Sequence, residues 1–411
     1  MVYFSVVYFL WGVMFRFLQV CSLLLCLAVT PFFSNSASAE VNNLYLENLS
    51  VEHGLSQGTI TSIFQDDEGF IWIGTENGLN MYDGYNFRNL PGPDNDFDNY
   101  VVHEIIQTKD KLLWLNVIGK GIYTYSKQTG QYQKILTTDP DNTEYYLIDM
   151  VEDNQENVWI ASNKTIILYD KNTQESTRVL DLSAELTNFN RIHSLRYHQD
   201  ILYIATRVGL FALNVKNMSW KKLPSIIASP LATVEFDSAG ANKIFNLHIS
   251  KKNRLYLGTD FGIYSLAVDN INSYIADDSP LLPYNVINES ISSWRFYPDG
   301  NKLYIGSHLG LSVIDTENEA TEFLFGFNDA IDNVSSNIIA SLLIDQRGVF
   351  WLGSNSNGIY KWDPKQGNIN NFYYKKNQKN SLSDNVVWSI TGRKNHPKQL
   401  WVGTSNGINL L

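Results

Sequence analysis

The chain has 411 residues, a formal net charge of −11, 18% charged side chains and 13% aromatic side chains. This composition is apolar enough to bury a large core, which excludes a disordered, collagen-like or coiled-coil chain. The acidic balance also argues against nucleic acid or an anionic membrane surface as a partner.

The first 39 residues are predicted to be a secretory signal peptide. Their only charged side chain is Arg16, which is followed by an apolar run over 17–29 and by small residues at 37–39. A basic residue, an apolar stretch and a small-residue cleavage site in this order are typical of exported proteins, so we expect a periplasmic location. A retained membrane anchor is the alternative, and translation from Met14 would give a signal of more ordinary length.

Both cysteines, Cys21 and Cys26, fall within this N-terminal segment. The exported part therefore contains no thiol, and no disulfide stabilises it. Its stability must come from core packing, which at this length favours a large β structure.

A short segment centred on an aromatic residue recurs eight times in the rest of the chain. The central aromatics are Trp72, Trp114, Trp159, Tyr203, Tyr256, Tyr304, Trp351 and Trp401. They follow one another at intervals of 42 to 53 residues, a repeat length typical of β-propeller blades. We expect an all-β fold in which these aromatics pack between neighbouring blades.

Each repeat contains the signals for four antiparallel strands. In the first repeat, strand-forming residues at 59–64, 70–75, 79–82 and 86–90 are separated by turn residues. Asn77-Gly78 predicts a type I′ hairpin, because both residue types tolerate positive φ. Four antiparallel strands form one propeller blade, and we expect helices to be minor.

Four motifs of the first repeat resemble the two-component regulator propeller repeats. They are Gly54-Leu55-Ser56, Asp67-Glu68-Gly69, Ile71-Trp72-Ile73-Gly74-Thr75 and Gly78-Leu79-Asn80-Met81-Tyr82-Asp83. Such repeats form the periplasmic sensor region of bacterial hybrid histidine kinases and some diguanylate cyclases. The resemblance covers about 44–411 and is most specific in repeats 1, 7 and 8. In repeats 2 and 3, Asn116 and Thr165 replace usual glycines, which leaves the geometry of those two hairpins open.

The resemblance implies a ligand-binding sensor module that is not itself an enzyme. In that family two seven-bladed propellers, a β-sandwich, a membrane helix and cytoplasmic signalling domains follow one another. The chain is then either the front part of a longer receptor or a gene fragment, and any kinase or cyclase activity belongs to a missing C-terminal part. We expect membrane attachment only through a retained N-terminal segment or a missing C-terminal span. A homodimer, if one forms, would form through the full-length receptor.

Two arrangements of the eight repeats are open. If residues 44–49 complete repeat 7, residues 40–368 form a seven-bladed propeller and 369–411 begin a second, incomplete one. If they complete repeat 8, residues 40–411 form one eight-bladed propeller. The resemblance favours the first arrangement, whereas economy of open sheet edges favours the second.

The resemblance places a ligand at the mouth of the propeller channel, on the face that carries the loop into strand one and the hairpin between strands two and three. We expect a small molecule or oligosaccharide to contact variable residues there. The candidate binding residues are Tyr100, Lys120, Lys164, Arg191, Arg207, Lys243, Asp260 and His308. Five of them are cations, which suit an anionic ligand such as an acidic sugar. Ordinary solvated hairpin tips are the alternative interpretation.

The sequence predicts no catalytic residue, metal site or cofactor. The seven histidines form no metal-ligand spacing, and neither a G-x-S-x-G elbow nor a glycine-rich phosphate loop occurs. Neighbouring residues of a strand point to opposite sides, so we do not expect His103 and Glu104 to act as a pair. A propeller enzyme (a lyase or glycosidase) and an exported scaffold that binds another protein are the alternative functions.

Overall fold

The structure is a computed structural model that describes the chain from residue 46 onward with internal gaps. The described residues are 46–93, 97–136, 148–186, 190–226, 243–277, 283–289, 291, 293, 295–326, 339–365, 372, 374, 381–393 and 396–411. The predicted signal peptide and Met14 lie outside them. Residues 45–411 form one compact unit. Within the described ranges, no helix combines the length and the apolar character that a membrane span requires.

The described part of the chain contains eight antiparallel sheets, which we number by repeat. Sheet 1 consists of β2 (Ile60–Gln65), β3 (Ile71–Thr75), β4 (Gly78–Tyr82) and β5 (Phe87–Leu90). Sheet 2 consists of β6 (Val102–Gln107), β7 (Leu113–Val117), β8 (Gly121–Ser126) and β9 (Gln131–Leu136). Sheet 3 consists of β10 (Asp149–Glu152), β11 (Val158–Ala161), β12 (Thr165–Asp170) and β13 (Glu175–Asp181). Sheet 4 consists of β14 (Ile192–His198), β15 (Ile201–Thr206), β16 (Gly209–Asn214) and β17 (Trp220–Lys222).

The second half of the chain repeats this pattern, except in its last sheet. Sheet 5 consists of β18 (Ile244–Ile249), β19 (Arg254–Thr259), β20 (Gly262–Ala267) and β21 (Asn285–Asn288). Sheet 6 consists of β22 (Arg295–Asp299), β23 (Lys302–Gly306), β24 (Leu311–Asp315) and β25 (Thr321–Phe325). Sheet 7 consists of β26 (Ile339–Ile344), β27 (Phe350–Ser354), β28 (Ile359–Trp362) and β1 (Glu47–Leu49). Sheet 8 has the three strands β29 (Val387–Arg393), β30 (His396–Thr404) and β31 (Gly407–Leu410).

The N-terminal strand β1 pairs with β28 and gives sheet 7 its fourth strand. Glu47 lies opposite Lys361, and Leu49 lies opposite Ile359. The first strands of sheets 1 to 7 contact one another in a closed cycle, because β26 contacts β2 just as each first strand contacts the next. The all-β fold of four-stranded antiparallel sheets is confirmed. The division into 40–368 and 369–411 stays a prediction, which these pairings favour over a single ring of 40–411.

The repeated tryptophans form the core between neighbouring sheets. Trp72, Trp159 and Trp351 are each at most 1% exposed. Trp72 packs against Val102 and other residues of sheet 2, and Trp351 packs against Ile60 and other residues of sheet 1. Both faces of these sheets are therefore buried by the adjacent sheets, as the repeat pattern predicts.

An aspartate six residues before the tryptophan closes the turn between the first two strands. In sheet 1, Asp66 Oδ2 accepts a hydrogen bond from the indole Nε1 of Trp72 at 2.8 Å, and Asp66 Oδ1 accepts from the backbone N–H groups of Glu68 and Phe70. Equivalent tryptophan–aspartate bonds occur in sheets 3 and 7, between Trp159 and Asp153 and between Trp351 and Asp345. The carboxylate thus fixes the turn and satisfies the buried indole at the same time.

The hairpin between strands two and three differs from the predicted type I′ turn. Gly78 has a φ of 86°, but Asn77 keeps an ordinary negative φ, so the two-residue type I′ geometry is wrong. The Thr75 hydroxyl donates to the Gly78 carbonyl at 3.1 Å and accepts the Asn77 N–H at 3.0 Å. This side-chain bridge, rather than two left-handed residues, closes the turn. In sheets 2 and 3 the corresponding hairpins have three residues, 118–120 and 162–164.

In the described ranges, one short α-helix interrupts the β structure. Helix α1 (Val268–Asp277) lies between β20 and β21, and a 3-10 turn covers Val51–His53. The apolar side chains of Val268 and Ile271 are fully buried in the core shared by sheets 4 and 5. The helix therefore covers that core from the side, an insertion that the repeat pattern does not indicate.

Candidate functional site

A cavity of about 640 Å³ lies where the first strands of sheets 1 to 7 begin, and all seven sheets contribute to its lining. Its charged and titratable residues are Glu76, His103, Arg191, His193, Arg207, Asp260 and Arg295. The lining includes both the segments that lead into strand one and the hairpins between strands two and three. These are the elements that the sequence analysis assigns to the ligand-binding face.

A second cavity of about 640 Å³ lies where the first strands of sheets 6, 7 and 1 end. Only these three sheets and the segment around Lys365 line it, and the lining residue Asp345 is already bonded to Trp351. The first cavity is the better candidate site, because it gathers side chains from the whole ring around buried titratable groups.

Bulges in the first strands supply many of the cavity's side chains. Among sheets 1 to 7, the strand register skips one residue in five of the described first strands. The skipped residues are Thr61, His103, His193, Phe245 and Ala340, and all five line the cavity. A bulge places two residues opposite one and breaks the alternation of the strand. The regular alternation assumed for His103 and Glu104 does not apply at this bulge. His103 lines the cavity and Glu104 is not among the lining residues, so the expectation that they do not act as a pair stays a prediction.

His193 is held as a neutral donor at the cavity wall. The Nε of Arg207 donates a hydrogen bond to His193 Nε2 at 3.2 Å, so the imidazole proton resides on Nδ1. The ring also packs edge-on against Phe245, with 4.9 Å between the ring centroids. Burial, with the positive charges of nearby arginines that include Arg191, lowers the pKa of His193 to about 3.

His103 is also neutral and has an unused polar atom. Burial, assisted by the positive charges of Arg295 and Arg191, lowers the pKa of His103 to about 4. Its Nδ1 is buried, and none of the residues in the described ranges forms a hydrogen bond with it. A buried polar atom without a protein partner is usually satisfied by water or a ligand.

Beside the bulges lie the half-buried carboxylates of Glu104 and Asp149, and Asp149 connects sheets 3 and 4. The Oδ2 of Asp149 accepts hydrogen bonds from Ser194 Oγ at 3.0 Å and from the Leu195 N–H at 2.8 Å. Burial and the nearby charge of Asp149 raise the pKa of Glu104 well above its usual value. We interpret these residues as part of the packing between the first strands rather than as lining of the cavity.

Three of the predicted binding residues line the cavity, namely Arg191, Arg207 and Asp260. Asp260 lies 4.0 Å from the ammonium of a fourth, Lys243, which forms an ion pair with it outside the lining. The sequence analysis missed Arg295, whose Nε donates to the Ala340 carbonyl at 2.9 Å. No hairpin or loop position marks Arg295, because it lies on the first strand itself.

The other predicted residues lie outside the lining. Tyr100 and Lys120 contact each other, with the ammonium 4.4 Å from the centre of the phenol ring. Lys164 is half-buried on the hairpin of sheet 3, and His308 is exposed on that of sheet 6. A ligand-binding role for the eight residues stays a prediction.

The comparisons with known proteins identify similar repeats and similar folds. Residues 54–77 match the two component regulator propeller family. A stretch of 57 residues is 37% identical to a histidine kinase of Formosa agariphila and covers 14% of this chain but 4% of that protein. The extracellular domain of a hybrid two component system of B. thetaiotaomicron has 20% identity and a TM-score of 0.60, over 90% of this chain and 48% of that one. Virginiamycin B lyase of Staphylococcus aureus has 14% identity and a TM-score of 0.55, over 77% and 98% of the two chains.

These matches confirm the predicted resemblance to two-component regulator propellers and the propeller fold. The chain spans about half the length of the extracellular domain that it matches. The identities to solved structures are low, so those structures show the fold alone. The lyase also shows that the fold carries an enzyme in another protein.

Proposed function

We propose that this chain is the sensor propeller of a bacterial signal-transduction receptor and binds a small ligand in the cavity described above. The observation that carries the proposal is that the bulge residues differ in chemistry from sheet to sheet, whereas each is preceded by an isoleucine or valine and followed by a polar residue. Histidine, phenylalanine, threonine and alanine occupy one structural position around a single cavity. Variation on a constant scaffold is what a binding surface requires.

The family match at 54–77 and the similarity to a histidine kinase support a role in signalling. We propose a periplasmic location from the signal peptide predicted over 1–39, and an output domain in another part of the receptor. The pairing of β1 with β28 supports a seven-bladed propeller over 40–368, followed by a second one that begins in 369–411. In this proposal the chain binds its ligand without converting it.

The test is a thermal-shift screen of the full chain against neutral and acidic mono- and oligosaccharides. A compound present at about 100 times its Kd stabilises the folded state by about 2.7 kcal/mol, which raises the melting temperature by a few degrees. We expect at least one compound to do so. The same compound should remain chemically unchanged when the mixture is analysed by mass spectrometry.

The variant Ala340→Trp tests whether the cavity is the binding site. Ala340 is a bulge residue of the lining, and the corresponding residue of sheet 8 is Trp388, which is exposed and outside the cavity. We expect the larger side chain of Ala340→Trp to occupy part of the cavity and abolish the shift, while Trp388→Ala leaves it intact. Unchanged binding by Ala340→Trp would contradict the site, and turnover of the compound would favour an enzyme.

A further inference from the structure

We propose that the cavity selects ligands that carry a carboxylate or sulfate group beside hydroxyl groups, and that Arg191, Arg207 and Arg295 hold the anionic group. This inference rests on the proposed ligand-binding function and specifies its chemistry. Guanidinium groups bind such oxyanions through paired N–H donors, which a single ammonium does not offer.

The charges of the lining favour an anion. Three arginines face two carboxylates, and both carboxylates have other partners. Asp260 lies 4.0 Å from the Lys243 ammonium, and Glu76 accepts a hydrogen bond of 3.5 Å from the Gln57 amide. Asp260 is paired with Lys243, and among the described residues neither Arg207 nor Arg295 forms an ion pair, so the lining keeps positive charge that an anionic ligand would offset.

Within the part of the chain that the structure describes, Arg207 and Arg295 each use one side-chain nitrogen, Nε, in a hydrogen bond to the protein. The Nε of Arg207 donates to the neutral His193, and the Nε of Arg295 donates to the Ala340 carbonyl. Considering the residues that the structure describes, no carboxylate lies within 4 Å of either guanidinium. Each guanidinium has five N–H donors, so its terminal nitrogens remain able to bind an oxyanion after its orientation is fixed.

The same arginines act on the two histidines of the lining. Burial, with the positive charges of the arginines, lowers the pKa values of His103 and His193 to about 4 and 3. Burial opposes a charge of either sign, whereas the contribution of the arginines shows that their positive charge extends across the cavity, where it would attract an anion. The unpartnered Nδ1 of His103 then offers a hydrogen bond to a hydroxyl group of the ligand.

The cavity has the volume of a small-molecule site. At about 640 Å³ it falls within the range of about 300–1,000 Å³ that is usual for such pockets. Phe245 and Ile118 add apolar surface to the lining, against which a sugar ring or a similar carbon skeleton would pack.

The experiment measures the binding of glucuronate, glucose and inorganic sulfate to the full chain by titration calorimetry. We expect glucuronate to bind more tightly than glucose by about tenfold or more, and sulfate to compete with it, since a charge-assisted hydrogen bond contributes about that factor. Arg207→Gln and Arg295→Gln should each weaken glucuronate binding by about tenfold or more. The matched control is Lys251→Gln, which removes an exposed cation of sheet 5 outside the cavity and should leave binding unchanged.

The two arginine variants lie in different sheets, so one of them stays informative if the other fails to fold. Equal affinity for glucuronate and glucose, equal affinity of the arginine variants and the parent chain, or no binding of either anion would overturn the inference. The proposed function would survive these outcomes if a neutral compound raised the melting temperature and Ala340→Trp abolished that rise.

Discussion

Sheets 7 and 8 carry the same repeat pattern and differ in their surroundings. Their second strands contain Phe350-Trp351-Leu352-Gly353-Ser354 and Leu400-Trp401-Val402-Gly403-Thr404, and both pair with a bulged first strand. Trp351 is fully buried against residues of sheet 1, whereas Trp401 is 39% exposed. The repeat sequence therefore specifies the sheet, but the neighbouring sheet creates the core.

Replacing the two tryptophans by alanine gives the largest expected difference. Trp351→Ala removes a fully buried ring and should lower the free energy of unfolding by about 3–5 kcal/mol. Trp401→Ala removes a ring that stays 39% exposed in the folded protein. Because folding buries less of this ring, the substitution should lower the free energy of unfolding by about 1 kcal/mol or less. Denaturant unfolding of the full chain, followed by circular dichroism, measures both values.

Equal losses for the two variants would contradict this comparison, because they would mean that sheet 8 is packed as tightly as sheet 7. Phe323→Ala, at a side chain of sheet 6 that is 54% exposed, serves as a control for the loss of an aromatic ring without a buried partner.

The second difference concerns the acceptor of the indole. Asp345 accepts a hydrogen bond from Trp351 Nε1 at 3.2 Å, and it lies two residues after Leu343, the residue that pairs with Trp351. In sheet 8 the residue that pairs with Trp401 is Thr391, and two residues after it the chain has Arg393 instead of an aspartate. Asp345→Asn places an amide where the carboxylate accepts the indole N–H and the backbone N–H groups of Arg347 and Val349. We expect a loss of about 1.5–3 kcal/mol at pH 7, as for other hydrogen bonds to charged groups.

The cost of Asp345→Asn should depend on pH with a defined sign. Burial alone would raise the pKa of Asp345, but the hydrogen bonds from Val349, Trp351 and Arg347 outweigh it and hold the pKa below its ordinary value of 3.8. The carboxylate then stabilises the fold fully above the unfolded-state pKa and loses this effect as the pH falls through the folded-state pKa. The difference in the free energy of unfolding between parent and variant should therefore be constant from pH 7 to about pH 5 and begin to shrink below about pH 4. A difference that stays constant down to about pH 3 would contradict this origin.

The fold could be predicted from the sequence because its packing is periodic. In sheets 1 to 7 each central aromatic is buried, so repeated copies of one pattern reveal the sheets and the buried positions, whereas the exposure of Trp401 is not visible in that pattern. The geometry that breaks the period was not predicted. His103 and His193 reach the cavity through bulges, which arise from the pairing of two strands and not from the composition of either.

A signal for the bulges is nevertheless present in the sequence. An apolar residue, a variable residue and a polar residue follow one another at the start of the bulged strands, as in Ile60-Thr61-Ser62 and Val102-His103-Glu104. The variable residue is the one that lines the cavity. Arg295 has no such signal, because its position in the cavity depends on how β22, the first strand of sheet 6, packs against the neighbouring sheets.

The smallest expected difference is between the two glycines of the repeated strands. A Cβ added at Gly353 would lie 2.6 Å from Cγ2 and 2.9 Å from Cβ of Ile60, in the neighbouring sheet. Gly353→Ala should therefore cost about 1–3 kcal/mol, since the two sheets must move apart. At Gly403 the new Cβ would approach only the Ser389 hydroxyl, which can rotate away, so Gly403→Ala should cost less than about 0.5 kcal/mol. Both glycines have a backbone conformation that alanine also adopts. The difference in the free energy of unfolding between the two variants therefore measures the close approach of the neighbouring sheet. Equal losses would show that sheet 8 has such a neighbour too.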